Sequence, residues 1–154
     1  MGSRTWILAA VLALAACSSE KKLPQVHASY EAPNGFSFVG EQGGPPPRAT
    51  FAPGLSLTRF SKPLPSGDAD AVAAALPELA GLGGGWAVLN ARAGTLPVGP
   101  VVRVELQKGS DRALHYVIPR AQGFLDLAFT APESSYGPLE AKVEMSLSHL
   151  KAEP

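Results

Sequence analysis

The chain has one cysteine among its 154 residues, Cys17, and that scarcity excludes a good deal. No disulfide can close within the chain, and no zinc site can be built on cysteine pairs. Charge of one sign is not in excess either. Lys plus Arg is 13 and Asp plus Glu is 13, a balance that argues against a basic field for nucleic acid or anionic lipid and against an acidic tail. Aromatics are few, with two Trp, three Tyr and six Phe, which leaves little apolar surface to spare for a large ligand cavity. The apolar run from Trp6 to Ala16 falls short of the roughly 20 residues that a helix needs to cross a bilayer. Glycine and proline, by contrast, are plentiful at 16 and 15. They cluster between apolar runs, as expected of a folded domain with many turns rather than a disordered chain.

Arg4 is the only charge before Glu20, and every residue from Trp6 to Ala16 is apolar. A charged start, a short apolar stretch and small residues at its end make the layout of a secretory signal. The segment closes on Leu14-Ala15-Ala16-Cys17-Ser18, which resembles the lipobox of bacterial lipoproteins. That resemblance implies cleavage before Cys17 and a diacylglycerol thioether on its sulfur. A plain Ala-rich signal peptide is the simpler reading, but it does not account for the cysteine at the cut or the leucine three residues before it. A single acyl chain holds a protein only marginally, whereas two or three make a lasting anchor. Trp6 stands where a myristoylation pattern needs Ser or Thr. Ser18, rather than Asp, after the cysteine implies sorting to the outer membrane. The chain is therefore divided into a signal peptide over 1–16, a lipidated N-terminus and flexible tether over 17–28, and a single domain over 29–154, the size of one ordinary domain.

Within the domain, Phe36-Ser37-Phe38-Val39 follows the turn signal Pro33-Asn34-Gly35 and reads as a first strand. Gly43 to Pro47 is a loop, because consecutive prolines lack the N–H that a helix or central strand requires. Leu55 to Phe60 alternates and reads as a strand. Asp68 is placed to cap a helix over Ala69 to Ala75, with Asp70 in the first turn, where the dipole favours an acid. Pro77 should end or kink that helix. Four period-2 runs follow, Trp86–Arg92, Pro100–Gln107, Ala113–Ile118 and Phe124–Thr130. Turn signals split them, so they predict antiparallel neighbours. In them Val102, Val104 and Leu106 oppose Arg103 and Glu105; Leu114, Tyr116 and Ile118 oppose His115; and Leu125, Leu127 and Phe129 oppose Asp126. A last helix is predicted with Ser134 or Ser135 as its cap and Pro138 near its first turn. It carries Leu139, Val143, Leu147 and Leu150 on one stripe, which should pack on the face bearing Leu125, Leu127 and Phe129.

This order of elements resembles the PsbP-like superfamily, which includes bacterial DcrB-type lipoproteins. The stretches that carry the likeness are Tyr30 to Phe38, Gly99 to Glu105, and Gly123 to Pro132 leading into the final helix. The Gly/Pro-rich segment 43–54 departs from it, lacking the aromatics expected after the first strand. The resemblance implies an α+β fold, a mostly antiparallel sheet with a mid-chain helix and a C-terminal helix packed on it in an α/β/α sandwich. It also implies an accessory or binding role rather than an enzyme.

The sequence offers little catalytic chemistry. Gly54-Leu55-Ser56-Leu57-Thr58 fails the nucleophile-elbow pattern at its last position. Gly81 to Trp86 looks dinucleotide-like for three positions, but it follows a helix and precedes a strand, the reverse of the required order. No zinc, EF-hand or phosphate-loop spacing occurs, so no metal and no cofactor is expected. Asp68 and Asp70 lie two apart and do not share a helix face, which makes capping their role. His27 falls in the tether and His149 on a surface helix, while His115 points away from the predicted core. All three are read as solvated. Arg103, Glu105, His115 and Asp126 all fall opposite the apolar face, where ordinary cross-strand pairing is the simpler alternative to a catalytic cluster. Trp86, after three glycines, reads as the rim of the core. The functional expectation is a lipid-anchored, non-catalytic envelope protein that binds or scaffolds another envelope component. The alternatives are a carrier of a small apolar ligand and a lipoprotein subunit of a secretion or surface assembly. Membrane contact would run through Cys17, with no nucleic-acid partner.

Overall fold

The computed structural model describes residues 20–154. Cys17, the lipobox-like segment and the apolar leader lie outside them. Ten strands and two helices follow in the order β1 Lys21–Leu23, β2 Ala28–Tyr30, β3 Ser37–Gln42, β4 Arg48–Ala52, β5 Leu55–Phe60, α1 Ala69–Leu79, β6 Ala87–Leu96, β7 Gly99–Lys108, β8 Asp111–Pro119, β9 Phe124–Pro132, α2 Glu133–Ser146 and β10 Lys151–Ala152. Seven of the strands form one antiparallel sheet in the order β3-β4-β5-β9-β8-β7-β6. β1, β2 and β10 form a small second sheet.

The period-2 pattern sorts the side chains of the large sheet into two cores. Leu55, Leu57, Leu114, Tyr116, Ile118, Leu125, Leu127 and Phe129 face one way and pack with Tyr136, Val143, Leu147 and Leu150 of the C-terminal segment. The small sheet adds Leu23, Val26 and Tyr30 to the same core. Val104, Leu106, Ala113, Val117 and Phe124 face the other way, against Val72, Ala73 and Leu76 of α1 and Ala80 just after it. The mostly antiparallel sheet is thus covered on both faces, and its central strands are buried on both sides. The predicted stripe packs on the expected core, with Leu139 half-buried at its edge, but α2 ends at Ser146, so Leu147 lies in a following 3-10 turn and Leu150 just after it.

Four local expectations are corrected. The segment 17–28 is not a tether from Glu20 onward. Lys21–Leu23 pairs with Ala28–Tyr30, and Leu23 and Val26 are fully buried, because two apolar side chains among the polar ones anchor the hairpin to the core. Helix α1 runs through Pro77 to Leu79. The bond that proline cannot donate is lost, and Ala80 N–H to Leu76 O (2.8 Å) and Leu82 N–H to Pro77 O (2.9 Å) close the end of the helix. Asp68 caps the helix as expected, accepting from Ala71 N–H at 3.1 Å. Neither Ser134 nor Ser135 caps α2. The helix begins directly after Pro132 with no side-chain cap, and Ser135 Oγ donates to Pro132 O at 3.2 Å. Finally β4, Arg48–Ala52, stands where no strand was predicted. It follows the proline loop and alternates buried Ala49 and Phe51 with more open neighbours.

Candidate functional site

Three polar clusters stand out against this apolar frame. The first lies between the sheet and α2. Arg103 on β7 is directed under the helix and is buried. Its guanidinium pairs with Glu105 on its own strand, with Glu140 at 2.6 Å and with Glu144 at 2.6 Å. Tyr116 donates to Glu144 at 3.0 Å. Arg112 adds a 3.3 Å contact to Glu105 and lies 4.7 Å over the Tyr136 ring. Desolvation alone pulls the Arg103 guanidinium down, but its bonds to Glu144 and Glu105 outweigh that and hold it above the ordinary arginine range. Burial, and then the neighbouring Glu105 charge, push the Glu140 carboxyl up. Burial and Glu144 push the Tyr116 phenol up to about 12.

The second cluster lies on the opposite face, under α1. His115 on β8 is 2 % exposed and Asp126 on β9 is 3 % exposed. The imidazole Nδ1–H donates to the carboxylate, with both oxygens at 3.0 Å. Asp126 stands in register with Thr58 of β5, whose hydroxyl accepts from Arg48 Nε at 3.0 Å. The expectation that His115 is solvated is corrected here. It points away from the C-terminal-helix core as predicted, but α1 covers that face too.

The four residues grouped by sequence therefore form two pairs on opposite faces of the sheet, Arg103 with Glu105 and His115 with Asp126. Arg103 is paired with carboxylates between the sheet and α2, and His115 with Asp126 on the face of α1. His27 and His149 are exposed as expected. His27 takes a left-handed conformation (φ 55) in the β1–β2 turn and lies 3.2 Å from Glu153. His149 falls in a short 3-10 turn after α2. Trp86 is half-buried at the rim of the α1 core, its indole N–H donating to Leu82 O at 3.3 Å. Among the described residues, no group of three His, Cys, Asp or Glu side chains is placed to hold a metal ion, and no helix is long and apolar enough to cross a membrane.

The third cluster is open to solvent and sequence reasoning missed it. A groove of about 740 Å³ runs between the proline loop, the end of β5 and the end of α1. Its floor includes Phe60 and Leu79, its charged lining is Arg48, Arg59 and Lys62, and His27 lines it as well. No Asp or Glu lines it, and among the described residues no carboxylate side chain pairs with Arg48, Arg59 or Lys62. Arg59 Nη2 reaches only Pro154 O, at 3.4 Å, and its Nη1 is buried without a partner. Behind it, Arg120 bonds only to backbone carbonyls, those of Pro119, Glu153 and Val98. Desolvation and the nearby Arg59 charge lower the Arg120 guanidinium below its ordinary value. The groove's cations come from positions 48, 59 and 62, and His27 joins them from the N-terminal hairpin; only the β4–β5 pairing and the placement of that hairpin bring them together.

The chain matches no protein-family model, and no curated protein matches its sequence. Among solved structures it is similar to the cyanobacterial PsbP protein (CyanoP) of Synechocystis sp. PCC 6803, with a TM-score of 0.60 at 15% identity over 87% of this chain and 91% of that one. With its sheet covered by α1 on one face and α2 on the other, the chain has a PsbP-like fold.

Proposed function

We propose that the protein is a lipid-anchored accessory protein of the bacterial envelope that works by binding and not by catalysis. The observation that carries the non-catalytic part is the fate of its polar clusters. Arg103 with its carboxylates, and His115 with Asp126, are paired among themselves between sheet and helices, where they hold elements together. The one open cluster, the cationic groove, is lined by Arg48, Arg59 and Lys62 with no Asp or Glu among its lining residues, and suits recognition of an anion. The anchor is supported by Leu14-Ala15-Ala16-Cys17 after a short apolar run, and the outer-membrane address by Ser18. Cys17→Ser tests it. Without the thiol no thioether forms, so the variant should remain unprocessed by the lipoprotein peptidase and carry no labelled acyl chain. A variant that matures and fractionates with membranes as the parent does defeats the anchor reading.

A further inference from the structure

We propose that the cationic groove holds the anionic headgroup of a phospholipid in the membrane on which the protein sits. The inference rests on the anchor at Cys17 and adds a lipid-binding site to it. Only Ser18 and Ser19 separate Cys17 from Glu20, and an extended chain covers at most about 3.3–3.6 Å per residue. The fold starts at once, since β1 opens at Lys21 and Leu23 is already fully buried. With no long tether, the end of the domain carrying the β1–β2 hairpin is held close to the headgroup layer. His27, in the turn at the other end of that three-residue strand pair from Lys21, lines the groove.

The chemistry of the groove fits a phosphate at that level. The even charge of the whole chain conceals a local excess, for Arg48, Arg59 and Lys62 line one groove with no Asp or Glu among the lining residues. Among the described residues no carboxylate side chain is paired with the Arg59 guanidinium, whose Nη2 reaches Pro154 O at 3.4 Å. A planar guanidinium fork suits phosphate oxygens. Phe60 and Leu79 in the same groove give the glycerol and first acyl carbons an apolar wall. The Glu153 carboxylate lies 3.2 Å from His27, and Arg59 Nη2 reaches Pro154 O at 3.4 Å. An acidic peptide offers similar charge, but the short link to the membrane favours the lipid by keeping headgroups constantly at the groove.

The test reads the reactivity of Lys62, which is exposed, in the full acylated protein reconstituted into vesicles. Acetylation of Lys62 is followed by mass spectrometry in pure phosphatidylcholine vesicles and in vesicles containing phosphatidylglycerol. Lys142, exposed on α2, is the internal control. The proposal expects phosphatidylglycerol to slow Lys62 by about fivefold, roughly the attraction of one basic residue to an anionic surface, with Lys142 little changed. Arg59→Gln, and separately Arg48→Gln, should remove most of that protection. Equal rates for Lys62 in both vesicles overturn the proposal, as does equal slowing of Lys62 and Lys142, which marks surface potential alone. Protection by millimolar inorganic phosphate in phosphatidylcholine vesicles assigns the groove to a free anion and overturns the lipid. Protection seen only in native membranes, and not with phosphatidylglycerol, assigns it to a protein partner and overturns the lipid likewise. A failed anchor is read separately, by unchanged fractionation of Cys17→Ser, while a failed groove leaves an anchored protein with an unprotected lysine.

Discussion

Arg103 gathers three carboxylates, from Glu105, Glu140 and Glu144, and that geometry decides what substitution does. Arg103→Met leaves the acids crowded under α2 without their cation. Breaking a buried pair in this way typically costs about 3–5 kcal/mol, so urea denaturation should show a loss of that order. Glu140→Gln should cost much less. Its carboxyl is already pushed toward the protonated form by burial and by Glu105, and the amide oxygen still accepts from Arg103. Similar losses in both variants would contradict the network as described. Tyr30 makes a pH prediction. It is fully buried and its hydroxyl lies 2.5 Å from Ser146 Oγ. Burial raises the phenol from 10.0 to about 12. Because the folded value lies above the unfolded one, the contribution is complete below pH 10 and is lost as pH rises through 12. The denaturation midpoint of the parent should therefore fall over that window, and Tyr30→Phe should fall less steeply. Parallel profiles would show that Tyr30 is not the group being titrated.

The element most legible from sequence was the C-terminal helix. Leu139, Val143, Leu147 and Leu150 repeat with helical spacing, and their destination follows from the facing Leu125, Leu127 and Phe129, although the α-helix itself stops at Ser146 and Leu147 and Leu150 reach the core from the 3-10 turn and its end. Leu147 is 2 % exposed, so Leu147→Ala should cost about 2–5 kcal/mol. Ser148, exposed and bonded only to Met145 O, should tolerate alanine within roughly 0.5 kcal/mol. Equal small effects in a thermal melt would mean that the stripe does not close the core. The strands β5, β7, β8 and β9 were legible for the same reason, since alternation survives in each. Other elements were hidden by competing signals. Arg48–Ala52 has a burial alternation of its own, but Pro47 and Pro53 on either side disguise it as loop. Pro77 argued for an earlier helix end, yet Leu76 and Ala80 still pack on the sheet, and that burial outweighs one missing bond. At α2, Ser134 and Ser135 offered caps, but Glu133 N–H is already satisfied by Ser110 O at 2.8 Å, so the helix starts directly from β9.

At the scale of the molecule, local pattern gave the layers but not the contents of each face. His115 and Asp126 were correctly set opposite the apolar face, and only the tertiary position of α1 makes that second face a core. The groove was illegible because its cations are scattered along the chain and balanced elsewhere by acids. The N-terminal hairpin was hidden by its own composition, since Glu20, Lys21, Lys22 and Pro24 read as solvated chain. Its energetics now argue the opposite. Leu23 and Val26 are both fully buried in the core that contains Tyr30, Phe51 and Leu150, and β2 bridges β1 to β10. Removing residues before Ser29 deletes β1 and Val26, leaves β2 paired on one side only, and uncovers apolar surface that the rest of the fold cannot bury. Each such side chain contributes about 1.5–3 kcal/mol, and a domain of this size has only some 5–15 kcal/mol in hand. A chain beginning at Glu20 should therefore melt cooperatively, while one beginning at Ser29 should melt far lower or fail to fold, with early loss of protection in β2 and β10 by hydrogen exchange. Should the shorter chain melt within a few degrees of the longer one, the hairpin would be a docked arm and not a part of the core. The groove would then stand free to move relative to whatever anchors the N-terminus.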